Sequence, residues 1–119
     1  MKKVLICDDS LLIRKKLKDY FEKKHPDFQV AQASNGHEAL RLYQSDSFSF
    51  VLLDIVMPEL DGIGCIRELK QFDPGVAVVV LSSVGNKETL REALNAGAVD
   101  FIQKPWSEKM LDRIVDAYR

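Results

Sequence analysis

Asp8 and Asp9 directly follow the apolar run Val4 to Cys7, and Asp54 directly follows the run Phe50 to Leu53. Ser82 and Ser83 come after Val76 to Leu81, and Lys104 and Pro105 come just after Val99 to Ile102. These runs have the length of strands. If the strands are parallel, all their carboxyl ends lie along one edge of the sheet, where ligand crevices form. Three carboxylates, a hydroxyl and an ammonium would then share one small region. Two carboxylate charges ~5 Å apart repel by roughly 3 kcal/mol at an effective dielectric of about 20. Such a cluster calls for a cation or for shared protons. Mg2+ suits it best, because the donors are hard oxygens and no His or Cys is placed to join them. Held by carboxylates, Mg2+ keeps several waters and recruits phosphate oxygens, which points to phosphoryl transfer.

Taken singly, each of these residues has a plainer reading. Asp9 or Ser10 serves as a helix cap, Asp54 as a turn residue before Pro58, Ser82 as a turn hydroxyl and Lys104 as a solvated charge. Their conjunction at the ends of separate strands is what favours a site.

The elements that must position them alternate along the chain. Val4 to Cys7, Phe50 to Leu53 and Val76 to Leu81 are unbroken apolar runs, as expected of central strands buried on both faces. Phe28 to Ala33 mixes Gln with apolar residues, and Val99 to Ile102 is broken by Asp100, so both read as edge strands. Helical patterns fall between them. Leu11 to Lys24 places Leu12, Leu17, Tyr20 and Phe21 on or near one stripe, and Gly36 to Ser45 follows an Asn35 cap. Gly62 to Phe72 follows Asp61 and stops before Asp73-Pro74-Gly75, and Lys87 to Ala96 follows Asn86 and ends at Gly97. Ser107 opens the last helix, with Leu111, Ile114 and Val115 facing inward. Five strands alternating with five helices predict an α/β fold, a doubly wound parallel sheet in the flavodoxin-like order 2-1-3-4-5.

Length and composition bound the rest. A chain of 119 residues, 46% hydrophobic and 29% charged, fits one compact domain spanning residues 1–119. A formal net charge of -1 offers no general attraction to nucleic acid or to an anionic membrane. Cys7 and Cys65 lie far apart without metal-ligand spacing, and two free buried thiols suit a reducing compartment. No run reaches the ~18 to 20 apolar residues of a membrane span, and the opening apolar stretch is too short for a signal peptide. A cytoplasmic location is the expectation.

At these residues the sequence resembles the receiver domains of bacterial response regulators, over the whole chain, and above all the stand-alone chemotaxis type. The matching strings are Val-Leu-Ile-Cys-Asp-Asp-Ser at 4–10, Leu-Leu-Asp-Ile-Val-Met-Pro at 52–58 with Asp61-Gly62, Val-Leu-Ser-Ser at 80–83, and Ala-Gly-Ala-Val-Asp-Phe-Ile-Gln-Lys-Pro at 96–105. The resemblance implies that Asp54 accepts a phosphoryl group from a phosphohistidine or a small acyl phosphate. It implies a Mg2+ site, open to Mn2+ as a substitute, formed by Asp9, by Asp8 mainly through water, by Asp54 and by the backbone carbonyl of Val56. Lys104 would pair with Asp54 and then with the phosphoryl oxygens, Ser82 would hydrogen-bond the phosphoryl group, and Phe101 would be an aromatic switch that rotates inward as Ser82 moves. Lys104-Pro105 would be a cis peptide. The implied partners are a histidine kinase or phosphotransfer protein and a downstream target protein, flagellar switch-like or other. The surface for that target would be the helix around Lys87 to Asn95, the strand with Phe101 and the helix from Ser107. No nucleic acid and no membrane are expected among the partners.

The chain departs from the commonest pattern of that family at several positions. Ser82 stands where Thr is frequent, Phe101 where several chemotaxis members have Tyr, and Trp106 where Phe is common. Val56 and Val84 are apolar where polar side chains often tune dephosphorylation. The basic run Arg14-Lys15-Lys16 with Lys18, Lys23 and Lys24 reads as a solvated face or as a docking face for an acidic phosphodonor partner. His25 and His37 are expected in connections on the side opposite the site.

Rival functions each fail on a residue. A haloacid dehalogenase-like phosphohydrolase wants Asp-x-Asp after its first strand, where Ser10 stands instead. An FMN carrier of flavodoxin type would meet Asp-Asp-Ser-Leu, hostile to a phosphate. A hydrolase built on Ser82 lacks G-x-S-x-G and a placed His. Within the family, the choice lies between a stand-alone regulator, which is preferred, and a receiver fragment of a longer regulator with an output domain.

Overall fold

The computed structural model describes residues 2–55, 62–83 and 87–119. The elements run β1 (Lys2–Cys7), α1 (Leu11–Lys24), β2 (Phe28–Ala33), α2 (Gly36–Ser45), β3 (Phe50–Asp54), α3 (Gly62–Phe72), β4 (Val78–Ser83), α4 (Lys87–Ala96), β5 (Asp100–Lys104) and α5 (Glu108–Tyr118). The five strands form one parallel sheet in the order β2-β1-β3-β4-β5. The flavodoxin-like order expected from the sequence is the order found.

Alternation along the central strands splits the core into two layers. Leu5, Cys7, Val51, Leu53, Val78 and Val80 face one side, where Ala39 of α2, Cys65, Ile66 and Leu69 of α3 and Ala93 of α4 cover them. Val4, Ile6, Phe50, Leu52, Val79 and Leu81 face the other, under Leu17 and Phe21 of α1 and Leu111, Ile114 and Val115 of α5. Burial on both faces is why β1, β3 and β4 carry unbroken apolar runs. The edge strands are only partly buried, as their mixed composition requires.

Several boundaries and faces differ from the expectation. β1 begins at Lys2 rather than Val4, because Lys2 and Lys3 pair with Phe28 and Gln29. β4 begins at Val78 rather than Val76, because the Val76 amide closes the turn onto the Asp73 carbonyl. It runs on to Ser83, paired with Lys104, so β5 also reaches beyond Ile102. The stripe of α1 contains Ile13 rather than Leu12: Leu12 is 60% exposed, whereas Ile13 packs against the core with Leu17, Tyr20 and Phe21. His37 is exposed in the first turn of α2, just after β2, and so belongs to the carboxyl edge of the sheet rather than to the far side. His25 does lie on the far side, at the end of α1, but is no free surface group. Its Nε2 is 2.9 Å from the Tyr20 hydroxyl, which donates to Asp112 of α5. The caps expected at Asp61 and Asn86 lie outside the described residues.

Candidate functional site

β1 and β3 are neighbours in the sheet, yet the chain leaves β1 for β2 on one side and reaches β3 on the other. This is the switch point at which an open parallel sheet forms its crevice. β1 ends at Cys7 and delivers Asp8 and Asp9 to that crevice, while β3 ends on Asp54 itself. One carboxylate oxygen from each of Asp8, Asp9 and Asp54 lies within 4.8 Å of the others. Asp8 is fully buried, Asp54 nearly so, and Asp9 is exposed. The cluster is therefore open on the Asp9 side.

Local structure explains why the two neighbouring acids play different parts. Ser10, not Asp9, is the N-cap of α1: its hydroxyl accepts from the Ile13 amide. Asp8 turns back to accept from the Ser10 amide at 2.9 Å. With the cap position filled by Ser10, the Asp9 carboxylate is not needed at the helix end.

Lys104 stands at the end of β5 and reaches across β4. Its ammonium is 3.2 Å from Asp8 Oδ2 and 3.4 Å from Asp54 Oδ2. One ammonium against three carboxylates leaves an excess of two negative charges. At the observed separations each like pair costs about 3 kcal/mol at an effective dielectric of about 20. A divalent cation would balance that excess. The donor set consists of hard oxygens, the set that Mg2+ or Ca2+ accepts and that soft metals do not prefer. Among the described residues, this is the acidic group close enough to hold a metal ion. The residues present fit the metal that the sequence implies.

Ser82 is buried on β4, one residue beyond the Leu81 that pairs with Asp54. Its hydroxyl donates to the Ser83 carbonyl at 3.3 Å, a weak local bond. Phe101, paired with Val80 on the edge strand, is 40% exposed. The Lys104-Pro105 peptide is cis. Val56 lies outside the described residues, as does Val84. Trp106 packs partly buried against the α1–α5 layer. It also lines a groove of about 330 Å³ beside Lys104, with Ile13, Lys16 and Pro105.

One contact was not legible as part of the site. Arg14, counted among the basic residues of α1, turns its guanidinium back to the Asp8 carbonyl at 2.6 Å. The signal available was its place on the helix, one turn past the Ser10 cap, where an arginine can fold back over the strand end.

The model of the response regulator receiver domain matches residues 4–116. The chain belongs to that family. It is 40% identical over 117 residues to a chemotaxis protein CheY of Thermotoga maritima, covering 98% of this chain and 93% of the relative. Among solved structures, a receiver domain protein from Clostridium thermocellum superposes with a TM-score of 0.91 at 28% identity, covering 99% of this chain and 94% of that one. A CheX–CheY–BeF3–Mg2+ complex from Borrelia burgdorferi is similar to this chain with a TM-score of 0.88 and 33% identity, over 99% of this chain and 90% of that one. Among the described residues no helix is long and apolar enough to cross a membrane.

Proposed function

We propose that residues 1–119 act as one receiver domain, a phosphoryl-accepting switch of the stand-alone chemotaxis type. The observation that carries this reading is the meeting of three carboxylates within 4.8 Å, with the Lys104 ammonium against two of them. Asp8, Asp9 and Asp54, with the backbone carbonyl of Val56, would hold Mg2+ or Mn2+ as its substitute. When bound, the cation supplies charge neutralisation for the acids and for the incoming phosphoryl oxygens.

Asp54 is the nucleophile. A carboxylate oxygen forms the new bond to phosphorus, and the bond from phosphorus to the donor imidazole nitrogen breaks. The electron pair stays on that nitrogen, which takes up a proton. Little covalent work falls to the protein, so orientation and charge supply the rate. Lys104, already against Asp54, follows the charge onto the phosphoryl oxygens. Ser82 exchanges its weak bond to the Ser83 carbonyl for one to the phosphoryl group and draws its loop inward. Phe101, half-exposed at rest, turns into the space this opens and alters the surface of α4, β5 and α5 for a downstream target. The chemistry is confined to phosphorylation and dephosphorylation of the chain itself.

The donor is a histidine kinase or phosphotransfer protein. Leu11 and Leu12, 70% and 60% exposed at the start of α1, give it an apolar foothold beside the acidic cluster. The lysines of the same helix suit an acidic partner. Two buried cysteines without a disulfide fit a cytoplasmic setting.

Incubation with acetyl phosphate and Mg2+, followed by borohydride trapping and peptide mass spectrometry, tests the assignment. Reduction is expected at Asp54 in the wild type and nowhere in Asp54→Ala. Full labelling of that variant would remove Asp54 as acceptor.

A further inference from the structure

The peptide joining Asp8 to Asp9 sets the direction in which the Asp9 side chain leaves the backbone. The Asp8 amide side of this corner is held by the sheet, since its N–H donates to the Ala33 carbonyl at 3.1 Å. The Asp8 carboxylate is held by the Ser10 amide and by Lys104. The Asp8 carbonyl accepts a short bond from Arg14 Nη1, at 2.6 Å. That carbonyl belongs to the very peptide that aims Asp9.

We infer that Arg14 is a positioning residue for the metal site: by fixing the Asp8–Asp9 peptide plane it orients the exposed Asp9 carboxylate toward Asp8 and Asp54. The inference rests on the metal-binding reading above and adds a residue to it. Two effects compete. A guanidinium behind the acidic corner repels a cation, and because Arg14 is only partly exposed, solvent and salt screen that repulsion only in part. A fixed backbone acts directly on ligand geometry, and loss of groups that orient a ligand commonly weakens metal binding by about tenfold or more. Position is expected to outweigh charge, and the variants below decide between them.

The test compares wild type, Arg14→Gln and Arg14→Lys in two measurements. Calorimetric titration with Mg2+ alone reads affinity. Hydrogen exchange of the Asp9 and Ser10 amides without metal reads the rigidity of the corner. Arg14→Gln is expected to weaken Mg2+ binding about tenfold and to speed both amides. Arg14→Lys, which keeps the charge but not the planar fork, should recover little. Unchanged Mg2+ affinity with a lowered melting temperature would reduce Arg14 to a helix-packing residue. Tighter binding in Arg14→Gln would show that repulsion dominates, and full recovery by Arg14→Lys would show that charge rather than geometry matters; either overturns the inference. Failure of the wild type to bind Mg2+ would instead sink the metal site, and unaltered amide exchange in that case would dispose of Arg14 as well.

Discussion

A Cβ on Gly62 would stand 2.3 Å from the Ile55 Cα and 2.8 Å from the Asp54 carbonyl oxygen. α3 therefore begins in contact with the backbone at the end of β3, at a distance no side chain permits. Both clashes are with main chain, which cannot rotate away. Gly62→Ala is expected to cost about 3 kcal/mol or more, beyond ordinary overpacking, because the strand end must shift. Urea denaturation measures it, and a loss below about 0.5 kcal/mol, as at an ordinary surface site, would mean that the junction is softer than its geometry indicates.

Lys104 is the cation against two buried or nearly buried carboxylates. Lys104→Ala removes that positive charge from both and should lower the stability of the metal-free protein by about 3 kcal/mol. The variant site is more negative, so millimolar Mg2+ should raise its melting temperature more than that of the wild type. Thermal scans with and without Mg2+ decide this; an equal rise in both proteins would deny the shared site.

The acid and alkaline limbs of stability have identifiable sources. Tyr43 donates to Asp73 at 2.6 Å, and this bond, with the Gly75 amide, holds the Asp73 carboxyl below the usual range. The Tyr20 hydroxyl does the same for Asp112, assisted by His25. A carboxyl depressed on folding stabilises above its unfolded value near pH 4, and that contribution is lost as pH falls through the lower folded value. Burial first, and then these same bonds, push both tyrosines up. Their contribution is present below about pH 10 and is lost only as pH climbs through the raised values. Tyr43→Phe should therefore lose less stability than wild type between about pH 5 and pH 2. Urea midpoints across that range test it, and an identical slope would take Asp73 out of the acid limb.

Cys7 and Cys65 are both fully buried, and burial pushes the Cys7 thiol far up, with Cys65 and the acidic cluster adding to it. Thiolate is the reactive form. Ellman's reagent should find almost no thiol in the native protein and both in urea. Rapid native reaction of either would show that the layer under α3 opens readily.

Much of this was legible because strand ends are marked twice, by where apolar runs stop and by which polar residues follow. Asp8, Asp9, Asp54 and Lys104 sat at such marks, and the parallel order brings them to one edge. What stayed hidden depended on backbone bonds that composition does not encode. Val76 looks like strand, but its amide is spent on the Asp73 carbonyl. Leu12 and Ile13 are equally apolar, and only the phase set by the Ser10 cap decides which packs against the core. Arg14 is one cation among several on α1 until its long side chain is seen folded onto Asp8. The place of His37, by contrast, was open to reading: the Asn35 cap already makes it the second residue of α2, just past β2 and at the carboxyl edge.

The central claim is most directly tested by adding Mn2+ to isotopically labelled protein and following paramagnetic quenching in NMR spectra. Selective loss of the Asp8, Asp9, Asp54 and Lys104 signals, competed away by excess Mg2+, is the predicted result. Quenching spread over surface carboxylates such as Asp73 and Asp112, with the signals at the ends of β1 and β3 preserved, would contradict it.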